Sequence, residues 1–300
     1  MPDVLSVEGP ARAERAPRAA ALDVPARVRL GMVALGFIPA LHLIAAVMPL
    51  AFAVMGRVRP AAAWLTPAIL FLVPPLVVRA STWWSPLPSG RVEPGSGGFL
   101  HWWFTAQWQV VFTRLPMLEE TIRMIPGLYS LWLRLWGARV GALVYWAPGV
   151  VVLDRSLVRI GNRVIFGVGA RLNPHVLAPG EPSRTALYLA PIAIGDDALV
   201  GGYSILLPGC EVAEGEATPP FRAIHAFSRF ANGRRVPGSE ATDESRTASA
   251  GSRSVDECRP ASLARRSRSA GRAAKAAAGP TSEDRWRPAS AGLTSEDDVE

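Results

Sequence analysis

An apolar residue recurs at every sixth position through the middle of the chain, between Val140 and Val212. The fourth residue after each of these anchors is small or β-branched. A period of six matches neither the 3.6 residues of a helix turn nor the two of an ordinary strand. It predicts short parallel strands that stack in a coil around inward-pointing anchors. A β-sandwich with glycine turns is the alternative interpretation. The clearest anchors are Ile160, Phe166, Leu172, Ile194, Val200 and Leu206.

The six-residue register is interrupted twice. It slips by two residues before Ile160, which predicts a small bulged corner around 154–156. It is lost between Leu172 and Ile194, where Pro174, Pro179, Gly180 and Pro182 indicate a loop ejected from the coil.

Two long apolar runs precede the coil. No formally charged residue occurs from Leu30 to Gly56 or from Ala61 to Val78. Eighteen helical residues span about 27 Å, close to the ~30 Å hydrocarbon thickness of a bilayer. A transmembrane helical hairpin over 30–80 is therefore expected, with both ends on the Arg-rich cytoplasmic side. Because Pro74 and Pro75 interrupt the second run, a hairpin that enters and leaves one leaflet stays an alternative.

The remaining segments complete the expected organisation. Residues 99–138 carry tryptophans and an apolar stripe, which fits amphipathic helices at the membrane interface or docked as a cap on the coil. The tail is too poor in apolar residues to offset the entropy cost of ordering. The expected divisions are a flexible arm (1–29), the hairpin (30–80), a Pro/Gly/Ser linker (81–98), the amphipathic helices (99–138), the hexapeptide-repeat coil (139–230) and a disordered tail (231–300).

Composition narrows the function classes. The net charge of +7 comes almost wholly from arginine, yet no basic stripe is interleaved with aromatics, so nucleic-acid binding is not expected. Two cysteines cannot form a disulfide framework. No cluster with metal-ligand spacing occurs, and no metal is expected.

Two stretches resemble the hexapeptide-repeat acyltransferases, a family of left-handed parallel β-helices. Residues 192–212 (IAIGDDALVGGYSILLPGCEV) resemble the late coils of that family, and residues 132–141 (WLRLWGARVG) resemble its lead-in. The resemblance covers roughly residues 128–212. It implies a homotrimer that moves an acyl group from an acyl-CoA donor, such as acetyl-CoA, onto a hydroxyl or an amine.

His175 is the candidate catalytic base. It is the one histidine within the ejected loop, and imidazole titrates near neutrality. Members of the family that this chain resembles place their base at this point of the chain, often as Ser-His-Asp. Here Pro174 precedes the histidine and Val176 follows it, so an ordinary loop histidine stays the alternative. Asn173 is the candidate for binding the acceptor or orienting the base.

The coenzyme site is expected at a coil edge. Gly201, Gly202 and Tyr203 would let the thin pantetheine arm approach the backbone there.

Together these features predict a membrane-anchored acyltransferase on the cytoplasmic face of a bacterial inner membrane, in contact with membrane lipid. Its acceptor would be a saccharide, a lipid-linked precursor or a small molecule. Two alternatives stay open. One is a catalytically inactive membrane-bound β-helix scaffold, and the other is a fragment of a carrier-linked synthetase terminal module.

Overall fold

The computed structural model describes residues 24–180 and 184–237, so the predictions for residues 1–23 and 238–300 lie outside it. In the described part of the chain, helices come first and β-structure follows. The helices are α1 (Ala26–Leu35), α2 (Ile38–Val54), α3 (Leu65–Trp84), α4 (Gly97–Arg114), α5 (Met117–Arg123) and α6 (Leu128–Leu135).

Short strands follow α6. They are β2 (Arg139–Val140), β3 (Tyr145–Trp146), β4 (Val151–Val152), β5 (Val158–Ile160), β6 (Ile165–Phe166), β7 (Arg171–Leu172), β8 (His175–Gly180), β9 (Arg184–Leu189), β10 (Ile192–Ile194), β11 (Leu199–Val200), β12 (Ile205–Leu206), β13 (Glu211–Val212), β14 (Ala223–Ile224), β15 (Ser228–Ala231) and β16 (Arg234–Pro237). A further strand, β1 (Gly90–Val92), lies between α3 and α4.

The core is mainly β and its strands are parallel, which confirms that part of the prediction. The chain visits three sheets in rotation. The first contains β2, β5, β10, β13 and β15, the second β3, β6 and β11, and the third β4, β7, β12 and β14. We call these strands the parallel-strand core. In the first sheet the register aligns Val140, Ile160, Ile194, Val212 and Phe230.

The six-residue anchors face inward. Phe166, Leu172, Val200 and Leu206 are completely buried, because each ends a two-residue strand whose first residue points outward. The small residues four positions after the anchors are buried as well, except Val176, which lies in β8 outside the core. The six-residue pattern therefore predicts buried positions correctly within the core, but not in the hairpin that interrupts it.

Two predicted loops contain strands instead. The ejected loop is an antiparallel hairpin of β8 and β9, and β1 from the predicted linker pairs with β9. At the other end β16 pairs with β15, so ordered structure extends to Pro237, within the segment for which disorder is predicted. Isolated strand edges expose unpaired backbone groups, and each of these additions pairs such an edge.

The helices lie against the start of the core. Phe112, Trp132, Leu133 and Trp136 belong to the same buried cluster as Val152 and its neighbours in the core. The 97–135 region therefore packs on the first strands of the core, as its interpretation as a cap requires.

Two helical stretches, Ala26–Val54 and Pro60–Trp84, are long and apolar enough to be membrane spans. They pack on each other but leave large apolar side chains exposed, among them Leu41, Phe52, Leu72 and Leu76. An exposed apolar surface of this size marks an interaction site, and a bilayer is one environment that would cover it.

The turns of the core stack tightly on one another, and this leads to a prediction about stability. A Cβ built on Gly167 would lie 2.7 Å from the Gly202 Cα, and backbone cannot yield as a side chain can. We expect Gly167→Ala to lower the free energy of unfolding by about 1–3 kcal/mol, measured by urea denaturation in detergent. Gly97→Ala is the control, because nothing lies within 4 Å of a Cβ there and the change should be nearly neutral. Equal effects of the two changes would contradict the tight stacking.

Candidate active site

His175 begins the hairpin that interrupts the core. Its side chain is 26% exposed, and its Nδ1 is hydrogen-bonded to Oδ2 of Asp154. The hairpin holds this position, since the Ala190 N–H donates to the Pro174 carbonyl at 3.0 Å and Leu189 pairs with His175 across the strands. The structure therefore gives the candidate base a charged partner.

Asp154 is a site residue that the sequence pattern marks only as part of a predicted bulged corner. It follows β4, and its φ of 41° lies in the left-handed region that aspartate tolerates better than most residues. Its side chain is only 2% exposed. The two-residue slip of the register marks the place, although a slip alone does not reveal which side chain the corner turns inward.

Trp102 of α4 completes the arrangement. Its Nε1–H donates to Asp154 Oδ1 at 3.0 Å, and its ring centroid lies 4.9 Å from that of His175 in an edge-on arrangement. Each carboxylate oxygen of Asp154 therefore has a hydrogen-bond partner, which a buried carboxylate needs. The imidazole is held between the carboxylate and the indole.

The environment changes the acidity of His175. Burial by itself lowers its pKa, whereas the charge of Asp154 and the hydrogen bond to it raise it, and the net pKa lies above the usual value of 6.5. With Nδ1–H directed at the carboxylate, the Nε2 lone pair of the neutral ring is left to accept a proton.

Arg155, the next residue, is fixed by a different set of partners. It is 1% exposed, donates from Nη1 to Gln109 Oε1 at 3.0 Å and forms an ion pair with Glu119. Three aromatic rings surround the guanidinium, with centroids 5.5–5.8 Å away: Phe112, Trp132 and Trp136.

Asn173 lies two residues before His175 and is half-buried. Its backbone N–H donates to the Leu206 carbonyl at 2.9 Å, so its place in the turn is set by the core. Its Oδ1 is buried and has no hydrogen-bond partner within the described residues. A buried amide oxygen without a partner is uncommon in folded proteins and calls for an explanation.

The residues expected to hold the coenzyme lie elsewhere in the core. Gly201, Gly202 and Tyr203 form the turn between β11 and β12, whereas His175 follows β7 in the third sheet. Gly201 is buried, and a Cβ there would lie 2.6 Å from the Pro219 oxygen, so stacking of the next turn explains this glycine. Tyr203 is 56% exposed and stacks on Phe221 at 5.2 Å. Within one chain the structure does not bring these residues to the base.

Other reactive groups are less suited to chemistry. Burial raises the pKa of the Cys210 thiol, which disfavours the thiolate. Over residues 24–180 and 184–237, no group of three or more histidine, cysteine, aspartate or glutamate side chains is placed to hold a metal ion.

Comparisons with known proteins return structures only. Neither the family models nor the curated proteins match this chain. A hexapeptide-repeat acetyltransferase from Vibrio cholerae is 14% identical over 44% of this chain and 93% of its own, with a TM-score of 0.28. A maltose O-acetyltransferase from Clostridium difficile is 15% identical over 43% and 86%, with a TM-score of 0.28. A serine acetyltransferase from Neisseria gonorrhoeae is 13% identical over 71% and 94%, with a TM-score of 0.24. TM-scores in this range do not assign the chain to a family.

The carboxylate–imidazole pair predicts a pH effect. Proton abstraction needs neutral His175, so activity rises as pH passes upward through its pKa. Asp154→Asn removes the charge that raises this pKa. We therefore expect the acid limb of the pH dependence of kcat/KM to move to lower pH, while the maximal rate falls by at least about tenfold.

The matched control is Asp197→Asn, which removes an exposed carboxylate paired with Arg163. It should leave the acid limb in place. An acid limb that stays in place in Asp154→Asn as well would show that the Asp154 carboxylate does not set the pKa of the base.

Proposed function

We propose that this chain is a membrane-anchored acyltransferase with a left-handed parallel β-helix core that works as a homotrimer. It transfers an acyl group, of which acetyl is the simplest, from acyl-CoA to a hydroxyl or an amine. The acceptor is a saccharide, a lipid-linked precursor or a small molecule at the cytoplasmic face of the inner membrane. The motifs in 132–141 and 192–212 support the family, and the rotation of the chain through three parallel sheets supports the core.

The observation that carries the proposal is the hydrogen-bonded pair of Asp154 and His175 beneath Trp102. A base near neutrality, oriented by a buried carboxylate, is what activation of a hydroxyl or an amine requires. An ordinary loop histidine has no need of a buried carboxylate that is itself anchored by an indole 52 residues away in sequence.

In the proposed step, the acceptor's O–H or N–H gives its proton to Nε2 of His175 while its oxygen or nitrogen attacks the thioester carbonyl carbon. Asp154 stabilises the imidazolium and keeps Nδ1 protonated. Backbone N–H groups at core turns hold the oxyanion. The tetrahedral intermediate then breaks its C–S bond, and the departing thiolate takes the proton from Nε2, so the base is regenerated.

The donor site is proposed to lie between subunits. Gly201, Gly202 and Tyr203 lie at a different corner of the core from His175, and a neighbouring copy could place its own corner beside the base. The exposed Tyr203–Phe221 stack offers a flat surface for the coenzyme. Asn173, with its free amide oxygen, would bind the acceptor.

The first test removes the base. We expect His175→Ala to lower acetyl transfer from radiolabelled acetyl-CoA to a bacterial membrane and metabolite extract by roughly 10²–10⁴-fold, the usual contribution of a general base. His101→Ala is the control, because His101 lies on α4 next to Trp102 but outside the carboxylate–imidazole pair. Equal transfer by the wild type and His175→Ala would exclude His175 as the base, and no transfer by the wild type would favour the scaffold alternative.

A further inference from the structure

A cavity of about 530 Å³ lies between the end of α3 and the outer face of the first sheet. On one side it is lined by Thr82, Pro86 and Ser89, and on the other by Arg159 and Ala193. We call it the α3 pocket. The α3 pocket thus lies between one of the two possible membrane spans and the parallel-strand core.

The α3 pocket reaches the backbone neighbours of both members of the carboxylate–imidazole pair. Ser156 and Leu157 line it and belong to the short turn that follows Asp154. Ala190 also lines it and follows Leu189, the cross-strand partner of His175. His175 and Asp154 do not themselves line the pocket, so a molecule there lies next to the segments that carry these two residues.

Two exposed tryptophans lie at the end of α3, beside residues that line the α3 pocket. Trp83 and Trp84, between Thr82 and Pro86 in sequence, are 83% and 86% exposed. Exposed tryptophans at the end of an apolar helix favour the level of the lipid headgroups. The pocket therefore lies where a headgroup would be if α3 crosses the bilayer.

The lining of the α3 pocket suits a phosphate-containing headgroup. Arg159 is exposed and has no ion-pair partner among the residues that the structure describes. Ser89 contributes an exposed hydroxyl, and Glu211, the carboxylate of the lining, is paired with Arg229 at 3.3 Å. A free guanidinium with nearby hydroxyls binds phosphate oxygens well.

We propose that the α3 pocket holds the headgroup of the acceptor, and that the acceptor is a membrane lipid whose phosphate-containing headgroup carries a hydroxyl or an amine. This reacting group extends from the pocket past Ala190 to Asn173 and His175. The inference rests on the proposed function, and it selects the lipid-linked acceptor from the classes left open above. The headgroup enters the pocket with its phosphate at Arg159, and the acyl chains pass Trp83 and Trp84 into the bilayer.

Photolabelling in vesicles tests the pocket without relying on activity. The full chain is reconstituted in phosphatidylcholine vesicles that contain phosphatidylethanolamine with a photoreactive group near the headgroup, and the labelled peptides are mapped. We expect labels on residues 156–159 and 190–193. Ala193→Trp should fill the pocket and lower this labelling by about tenfold or more, whereas Ala223→Trp, an outward-facing alanine of the third sheet, should not.

A second pair of variants keeps the test valid if Ala193→Trp fails to fold. Arg159→Ala should lower the same labelling by about tenfold, as expected for loss of one charge-assisted hydrogen bond. Arg171→Ala, an exposed arginine on the outward side of β7, should leave it unchanged. Labelling confined to the apolar surfaces of α2 and α3, or abolished by coenzyme A, would overturn the inference.

Acetyl transfer separates this inference from the proposed function. Transfer that depends on His175 but goes to a water-soluble acceptor and is untouched by Ala193→Trp would overturn the lipid acceptor alone. Pocket labelling in a chain whose wild type and His175→Ala transfer equally would overturn the base, and with it the acceptor role of the pocket. Transfer to phosphatidylethanolamine that is lost in both His175→Ala and Ala193→Trp supports both proposals.

Discussion

The structure depends on one corner of the parallel-strand core, where two adjacent charged residues are buried with different partners. Asp154 meets His175 of the hairpin and Trp102 of α4. Arg155 meets Gln109 of α4 and Glu119 of α5. Burying a charge costs several kcal/mol unless it is paired and hydrogen-bonded, so each side chain is tied to a distant segment that must be in place. The corner thereby couples the helices, the core and the hairpin.

The same coupling fixes the groups that surround His175, the candidate base. Glu119 also accepts hydrogen bonds from Tyr129 and Arg123, at 2.6 and 2.9 Å, so the carboxylate that holds Arg155 is itself fixed by α5 and α6. Rigid groups around a reactive side chain reduce the reorganisation that its reaction requires. α4 supplies both Trp102 and Gln109, and one helix therefore anchors the two sides of the corner. The same helix packs on α1, α2 and α3, which places the base close to the apolar helices.

The sequence predicts the parts of this molecule that repeat locally. The six-residue anchors identify the buried positions of the core, and the uncharged runs identify the apolar helices, because each pattern is set by residues close together in the sequence. The partner of His175 is 21 residues away and Trp102 lies 52 residues from Asp154, so neither follows from spacing. The pairing of β1 with β9 is equally non-local. From the sequence alone, the glycine at position 201 can be explained by the close approach of a ligand or of other backbone. The structure shows that the backbone of Pro219 lies against it.

The protonation of His175 tests the central claim most directly. The sequence contains four histidines, so ¹⁵N-histidine labelling of the full chain in vesicles gives few imidazole signals, and loss of one in His175→Gln assigns it. The buried carboxylate predicts a neutral ring protonated at Nδ1 and bare at Nε2. As the pH falls, His175 should become charged before His101, because burial lowers the pKa of His101 while Asp154 raises that of His175. An Nε2-protonated ring, or His101 charging first, would contradict the pairing of Asp154 with His175.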